Sequence, residues 1–225
     1  MNFLCLDTTL DNCSVHIISS NKDSFILSDT NNPPSDIIPT LVDQALSSLD
    51  LKNSDINGII IATGPGNYTS LRVGISFGSG LAKALCIPVY GISSLQALML
   101  THKKQYKENA KLLVGIKARG EDYFLQLFDN NCLSLIKPIK ADIIRAKELF
   151  FKYNLLFLGS GSLNLATNFG QEENIITTED RIDFLKVYKS INKNLLDYEN
   201  NIWPLYLSEP IAEKKDPLWF AKKIK

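Results

Sequence analysis

A chain that attacks a substrate through its own side chain needs a Ser, Cys or Thr with a base in reach. Only two imidazoles are available, His16 and His102. His16 lies inside the strand-like Cys13-Ser14-Val15-His16-Ile17-Ile18 and His102 closes a helical pattern, so both read as structural. Cys5, Cys13, Cys86 and Cys132 are scattered without C-x-x-C spacing, which fits reduced, buried thiols better than a disulfide frame or a zinc site. Asp7-Thr8-Thr9 follows the first strand, a usual place for a catalytic or metal-holding aspartate. The plainer reading is a turn whose carboxylate and hydroxyls bond local amides. At the corresponding place in the second half stands Lys117, so a metal shared by two facing aspartates is not expected.

Two small-residue turns could hold an anion. Gly64-Pro65-Gly66-Asn67 runs from an apolar strand into a helix, where Thr69 or Ser70 is expected to cap the first amides. It lacks both the Lys-Ser/Thr ending of a Walker loop and the G-x-G-x-x-G spacing of a dinucleotide fold, so a structural turn is the first reading and a phosphate site the second. Gly159-Ser160-Gly161-Ser162 repeats the strand-to-helix arrangement, and its amides offer another candidate phosphate cradle. Lys117-Ala118-Arg119-Gly120-Glu121-Asp122 reads as a solvated hairpin corner.

The elements that carry these turns form one rhythm written twice. Strands are expected at Asn2–Leu6, Ser14–Ser19 and Ser24–Leu27, then a helix from Ser35 or Asp36 to Leu49 with Pro39 in its first turn. The strand Gly58–Thr63, the helix Thr69–Leu85, the strand Pro88–Tyr90 and a helix capped at Ser93 follow. In the second half, strands are expected at Leu112–Ile116, Tyr123–Phe128, Leu133–Ile136 and Leu155–Leu158, with helices at Asp142–Lys152 and Arg181–Glu199. Asn168–Asp180 is polar and shows no clear pattern. The order argues for two similar α/β lobes around mixed sheets, residues 1–105 and 106–225, joined through the polar 102–110 stretch.

The helix Thr69–Leu85 has two apolar stripes where a surface helix needs one. Leu71, Gly74, Ile75, Gly78, Ala82 and Leu85 share a face, and Val73, Phe77, Gly80 and Ala84 form the other. Interior glycines cost roughly 1 kcal/mol each against alanine, so packing must return that energy. The first face, with Ile38, Leu41, Val42 and Ala45 of the preceding helix, is the expected protein–protein interface. The alternative is that the preceding helix covers it within the monomer.

Bulk composition points the same way. The 225 residues carry 24 Lys or Arg and 24 Asp or Glu, for a formal net charge of zero, so global electrostatics makes no case for nucleic acid or an anionic membrane. No apolar run reaches the roughly 18 residues of a membrane span and no leader pattern opens the chain, so a cytoplasmic protein is expected. The tail Lys214–Lys225 is basic around Trp219-Phe220. Its aromatics are expected against the fold, with an RNA contact as the alternative.

Leu6-Asp7-Thr8-Thr9, Gly64–Gly74, Gly80-Leu81-Ala82 and Pro88-Val89-Tyr90-Gly91-Ile92-Ser93-Ser94-Leu95 stand in the order seen in a known family. The chain resembles the bacterial TsaB (YeaZ) family of tRNA threonylcarbamoyladenosine biosynthesis proteins, strongly over residues 1–100. Beyond that the likeness thins to Ala118-Arg119, Gly159-Ser160-Gly161 and Pro204-Leu205-Tyr206-Leu207. The resemblance implies a small, duplicated, actin-like (ribonuclease H-like) fold without catalysis of its own. It further implies pairing with the catalytic subunit TsaD through the first-lobe helices, with a TsaE-type ATPase joining and tRNA reached indirectly. Self-pairing through the same face is expected, and an adenine nucleotide at the subunit junction is compatible with the resemblance, with no cofactor expected on the isolated chain. Pro33-Pro34-Ser35, Lys117 and Ser208 depart from the His, Asp and Arg usual at those places. The alternative is an autonomous actin-like phosphotransferase or hydrolase using Asp7 and Gly159–Gly161.

Overall fold

The computed structural model describes residues 1–11, 13–19, 25–29, 32–103, 110–198 and 202–207. The basic tail, Ser208, Ser24 and the polar 104–109 stretch lie outside these residues. The first half runs β1 (Asn2–Asp7), β2 (Cys13–Ser19), β3 (Phe25–Asp29), α1 (Pro34–Ser48), β4 (Gly58–Ala62), α2 (Tyr68–Leu85), β5 (Val89–Ile92) and α3 (Ser94–Thr101). The second runs β6 (Lys111–Lys117), β7 (Tyr123–Phe128), β8 (Ile139–Ala141), α4 (Ile143–Phe150), β9 (Leu155–Leu158), α5 (Ser162–Phe169), β10 (Ile175–Thr177) and α6 (Phe184–Ile191). Three strands, helix, strand, helix, strand, helix is therefore repeated element for element.

Each half builds a five-stranded sheet of the same topology, β3-β2-β1-β4-β5 and β10-β9-β6-β7-β8. In both, the first strand pairs antiparallel with the second and parallel with the fourth. Strands buried on both faces read as continuous apolar runs, which is why Gly58–Ala62 and Leu155–Leu158 stand out in the sequence. α1 and α2 cover the outer face of the first sheet, with Leu4, Leu6, Ile17, Ile59 and Ile61 beneath them. α4 and α5 do the same for the second sheet over Leu113, Leu125 and Phe157. α3 and α6 fill the space between the sheets, where Leu95, Leu98, Phe184 and Val187 meet Phe3, Ile60, Leu112 and Val114 in one shared core.

Local differences from expectation have local causes. α2 is capped by Asn67, whose side-chain oxygen accepts from the amides of Thr69 and Ser70 at 3.1 Å each, so those two residues are capped rather than capping. Pro39 lies in the second turn of α1, because the helix begins at Pro34; its missing amide falls on the exposed side. Leu133–Ile136 is no strand. The Asp129 carboxylate accepts from the amides of Asn131 and Leu133, and this turn leaves Leu133 63% exposed, while β8 forms three residues later. The expected long helix from Arg181 starts at the Asp183 cap and passes at Asn192 into a 3-10 segment kinked at Asn194. α5 ends on Gly170 with φ +65°, and β10 follows inside the pattern-poor stretch.

Candidate functional site

The turn after β1 is tied down by its own side chains. Asp7 is 3% exposed, and its Oδ1 accepts from the Thr9 amide at 2.8 Å and the Thr9 hydroxyl at 2.7 Å. Since that hydroxyl hydrogen is committed to Asp7, the 2.6 Å contact between Thr9 Oγ1 and Ser94 Oγ is donated by Ser94. Ser94 opens α3, so a chain of hydroxyls ties the end of β1 to the interlobe helix. The Thr8 hydroxyl donates to the Ser70 carbonyl at 2.7 Å, tying the same turn to α2.

The Gly64-Pro65-Gly66 turn locks onto this structure from the other side. A Cβ on Gly66 would stand 1.9 Å from the Thr9 carbonyl oxygen, so only glycine fits there. The Asn67 amide donates to that carbonyl at 2.8 Å, and the Ser94 amide donates to the Gly64 carbonyl at 2.7 Å. The Leu205 amide donates to the Thr63 carbonyl at 2.8 Å, bringing the C-terminal strap Ile202–Leu207 onto the same junction. The amides that a phosphate would need at the start of α2 are held by Asn67, so the turn works as a structural tie.

The second candidate cradle is committed in the same way. The amide of Gly159 donates to the Thr177 carbonyl, that of Ser160 to Asp180 Oδ1 at 2.7 Å, and that of Gly161 to the Gly115 carbonyl at 2.8 Å. All three donors expected to hold a phosphate are thus spent within the fold, and a carboxylate occupies the middle one. Lys117 ends β6 where Asp7 ends β1; its amide donates to Ser160 Oγ at 2.9 Å and its side chain is exposed.

Asp7 and Asp180, one from each half, repel one another at this junction. Burial pushes the Asp7 carboxyl up to about 6, against the Thr9 hydrogen bonds and with help from the charge of Asp180. Asp180 is itself raised by burial, opposed by Ser160, with Asp11 adding repulsion. Among the described residues no three or more His, Cys, Asp or Glu are arranged to hold a metal ion. His16 is sealed 5.0 Å edge-on to Phe184, and burial pulls its imidazole down to about 4.

The ten residues expected at an interface divide sharply. Ile38, Leu41, Val42, Ala45, Leu71, Gly74, Gly78 and Ala82 are buried inside the chain. Ile75 and Leu85 are half-buried against the same core. A Cβ on Gly74 would lie 2.3 Å from Thr8 Oγ1, and one on Gly78 would lie 2.5 Å from Ile61 Cδ1. These glycines admit the chain's own sheet, not another molecule, which corrects the choice of face.

The outward row of α2 is the other stripe. Arg72, Ser76, Gly80, Lys83 and Ala84 are exposed, with Val73 and Phe77 half-buried at its edge, and a Cβ on Gly80 would meet nothing within 4 Å. Alongside it, α1 shows Asp36, Thr40, Asp43 and Ser47. The strap was absent from the expected surface, although Pro204-Leu205-Tyr206-Leu207 was visible as a motif. Its Tyr206 hydroxyl accepts from Arg72 Nε at 2.7 Å, and its ring lies 4.9 Å from that of Tyr68.

Among the described residues no helix is long and apolar enough to cross a membrane. Residues 31–159 match the family model for TsaD, tRNA N6-adenosine threonylcarbamoyltransferase. A protein of Buchnera aphidicola subsp. Schizaphis graminum, tRNA threonylcarbamoyladenosine biosynthesis protein TsaB, is 30% identical over 165 residues, 70% of this chain and 78% of its own. The protein of the same name from Buchnera aphidicola subsp. Acyrthosiphon pisum is 24% identical over 214 residues, 90% of this chain and 96% of its own. The solved structure of YeaZ from Pseudomonas aeruginosa superposes with a TM-score of 0.74 at 18% identity, covering 92% of this chain and 99% of that one, which establishes a shared fold. With sequence likeness extending over most of both chains and the same doubled sheet beneath it, this chain belongs to the TsaB (YeaZ) family of tRNA threonylcarbamoyladenosine biosynthesis proteins.

Proposed function

We propose that the chain is a non-catalytic subunit in tRNA threonylcarbamoyladenosine biosynthesis. It acts by pairing with a TsaD-like transferase, which installs threonylcarbamoyl on adenosine 37 of tRNAs reading codons that begin with A. The carrying observation is Gly80: an interior helical glycine costs about 1 kcal/mol against alanine, and the monomer draws no packing from it, with nothing within 4 Å of its Cβ position. A second backbone can approach there. The pairing face is therefore the exposed row Arg72, Ser76, Gly80 and Ala84 beside α1, in place of the buried row of Gly74 and Gly78. The same row serves self-association when the partner is absent. A TsaE-like ATPase joins the pair, and tRNA is contacted through the partner. Domain-wise, residues 1–105 form the lobe that carries the pairing helices and residues 106–225 the second lobe with its basic tail.

The internal use of Asp7 and of the Gly159–Gly161 amides supports this reading over an autonomous phosphotransferase. Isothermal calorimetry with magnesium-ATP separates the two. The isolated chain is expected to show no micromolar binding, and tight binding would favour the phosphotransferase.

A further inference from the structure

α6 presents a row of positive charge to solvent. Its apolar side is spent: Phe184, Val187 and Ile191 are buried in the core shared by the two sheets. The opposite side carries Lys186, Lys189 and Lys193, all exposed, spaced by three and four residues and so aligned along about 10 Å of helix. The Thr101 hydroxyl accepts from the Asp183 amide at 2.9 Å, joining the end of α3 to the start of α6, and the exposed Lys103 and Arg181 flank that junction. Little offsets this charge. Asp183 caps α6 by accepting from the Lys186 amide at 3.2 Å, and its other oxygen lies 3.6 Å from the Lys186 ammonium. The ion pairs among the described residues include neither Lys189 nor Lys193. α3 and β2, which pack against α6, carry no carboxylate, and Asp197 stands beyond the kink at Asn194. In a chain with equal numbers of acidic and basic residues, the basic excess is therefore local.

We propose that this row is a direct, sequence-independent contact for the phosphate backbone of tRNA, in addition to the contact made through the partner. It goes beyond the pairing proposed above and uses a different surface. His16 faces Phe184 of α6, while its strand neighbours Val15 and Ile17 lie in the core under α1, so α6 and the α2 row stand on opposite faces of the first sheet. Both can be occupied at once. Chemistry selects the occupant. A line of ammonium groups binds a polyanion by releasing its condensed counterions, and the family to which the chain belongs serves tRNA threonylcarbamoyladenosine biosynthesis, which brings one polyanion within reach. A bilayer is the poorer fit, because the helix has no apolar face left to insert. Lysines act as point charges and phosphate contacts carry no sequence information, so the row orients the RNA rather than reading it.

The test titrates the full chain into fluorescently labelled, unmodified tRNA by anisotropy, alone and with the transferase-like subunit, across a salt series. The α6 variant, Lys186→Gln with Lys189→Gln and Lys193→Gln, is compared with a control of equal charge change on and just after α4, Arg145→Gln with Lys147→Gln and Lys152→Gln. The α6 variant is expected to weaken tRNA binding about tenfold or more at about 0.1 M salt, and to lower the slope of log affinity against log salt by about 2–3. The control is expected to keep wild-type tRNA binding, and both variants to keep the wild-type circular dichroism spectrum and calorimetric affinity for the subunit. Equal losses in the two variants, no loss in either, or no tRNA binding by the wild-type chain at low salt would overturn the proposal. So would wild-type tRNA affinity in an α6 variant that no longer pairs with the subunit, or that no longer binds phosphatidylserine vesicles, since the row would then belong to a protein or a lipid surface. Absence of pairing by the wild-type chain would overturn the reading above and leave this one decided by the titration of the isolated chain.

Discussion

Gly78 and Gly80 lie two residues apart on one helix, and alanine should have opposite effects at the two places. At Gly80 the new methyl meets nothing within 4 Å, so the variant keeps only the helix-propensity gain, about 1 kcal/mol of added stability. At Gly78 the methyl arrives 2.5 Å from Ile61 Cδ1 and 3.1 Å from Leu6 Cδ1, both on fully buried strands. Overpacking a tight core costs about 1–3 kcal/mol, which the same propensity gain offsets only in part. The pair should therefore differ by about 1–3 kcal/mol, a separation of several degrees in melting midpoint for a chain of this size. Gly78→Leu adds three more carbons between α2 and the sheet and is expected to prevent folding. Urea unfolding followed by far-ultraviolet circular dichroism reads all three variants. Gly78→Ala as stable as Gly80→Ala, or a folded Gly78→Leu, would refute the inward assignment of this face.

Two further outcomes concern buried titrating groups, and their signs oppose. The folded carboxyl of Asp7 is raised to about 6 from 3.8, so its contribution is present below 3.8 and lost as pH climbs through 6. Asp7→Asn, whose amide oxygen can accept the same Thr9 bonds, should gain about 2–3 kcal/mol relative to wild type between pH 4 and pH 8; a constant difference across that range in urea titrations would contradict this. His16 is lowered to about 4 from 6.5, so its contribution is present above 6.5 and lost on acidification toward 4. His16→Leu should gain about 2 kcal/mol relative to wild type between pH 7 and pH 5, and parallel pH profiles for the two proteins would count against it.

The doubled architecture was legible because its strands are apolar runs bounded by turn residues, Gly58–Ala62 and Leu155–Leu158 above all. Ser93 was legible as a cap because the Gln96 amide it accepts lies in a recognisable capping pattern. Periodicity also found both stripes of α2, but it carries no information about which stripe meets the sheet. That choice depends on Leu6, Ile61 and Thr8, which approach Gly78 and Gly74 only once β1 and β4 are paired. Leu133–Ile136 misled for the converse reason. Its apolar residues resemble a strand, and the capping of the preceding turn by Asp129 turns them to solvent. The commitment of the Gly159–Gly161 amides was hidden as well, because their acceptors come from Gly115, Thr177 and Asp180, far along the chain.

The most direct measurement is threonylcarbamoyl transfer to tRNA by the TsaD-like subunit, assayed with and without this chain in a mixture that supplies the activated threonylcarbamoyl donor and the TsaE-like ATPase. Modification is expected only when the chain is present, to be lost with Gly80→Leu and to survive Asp7→Asn. Full transfer in the absence of the chain, or loss of transfer in a folded Asp7→Asn variant that still pairs, would contradict a subunit that works by docking.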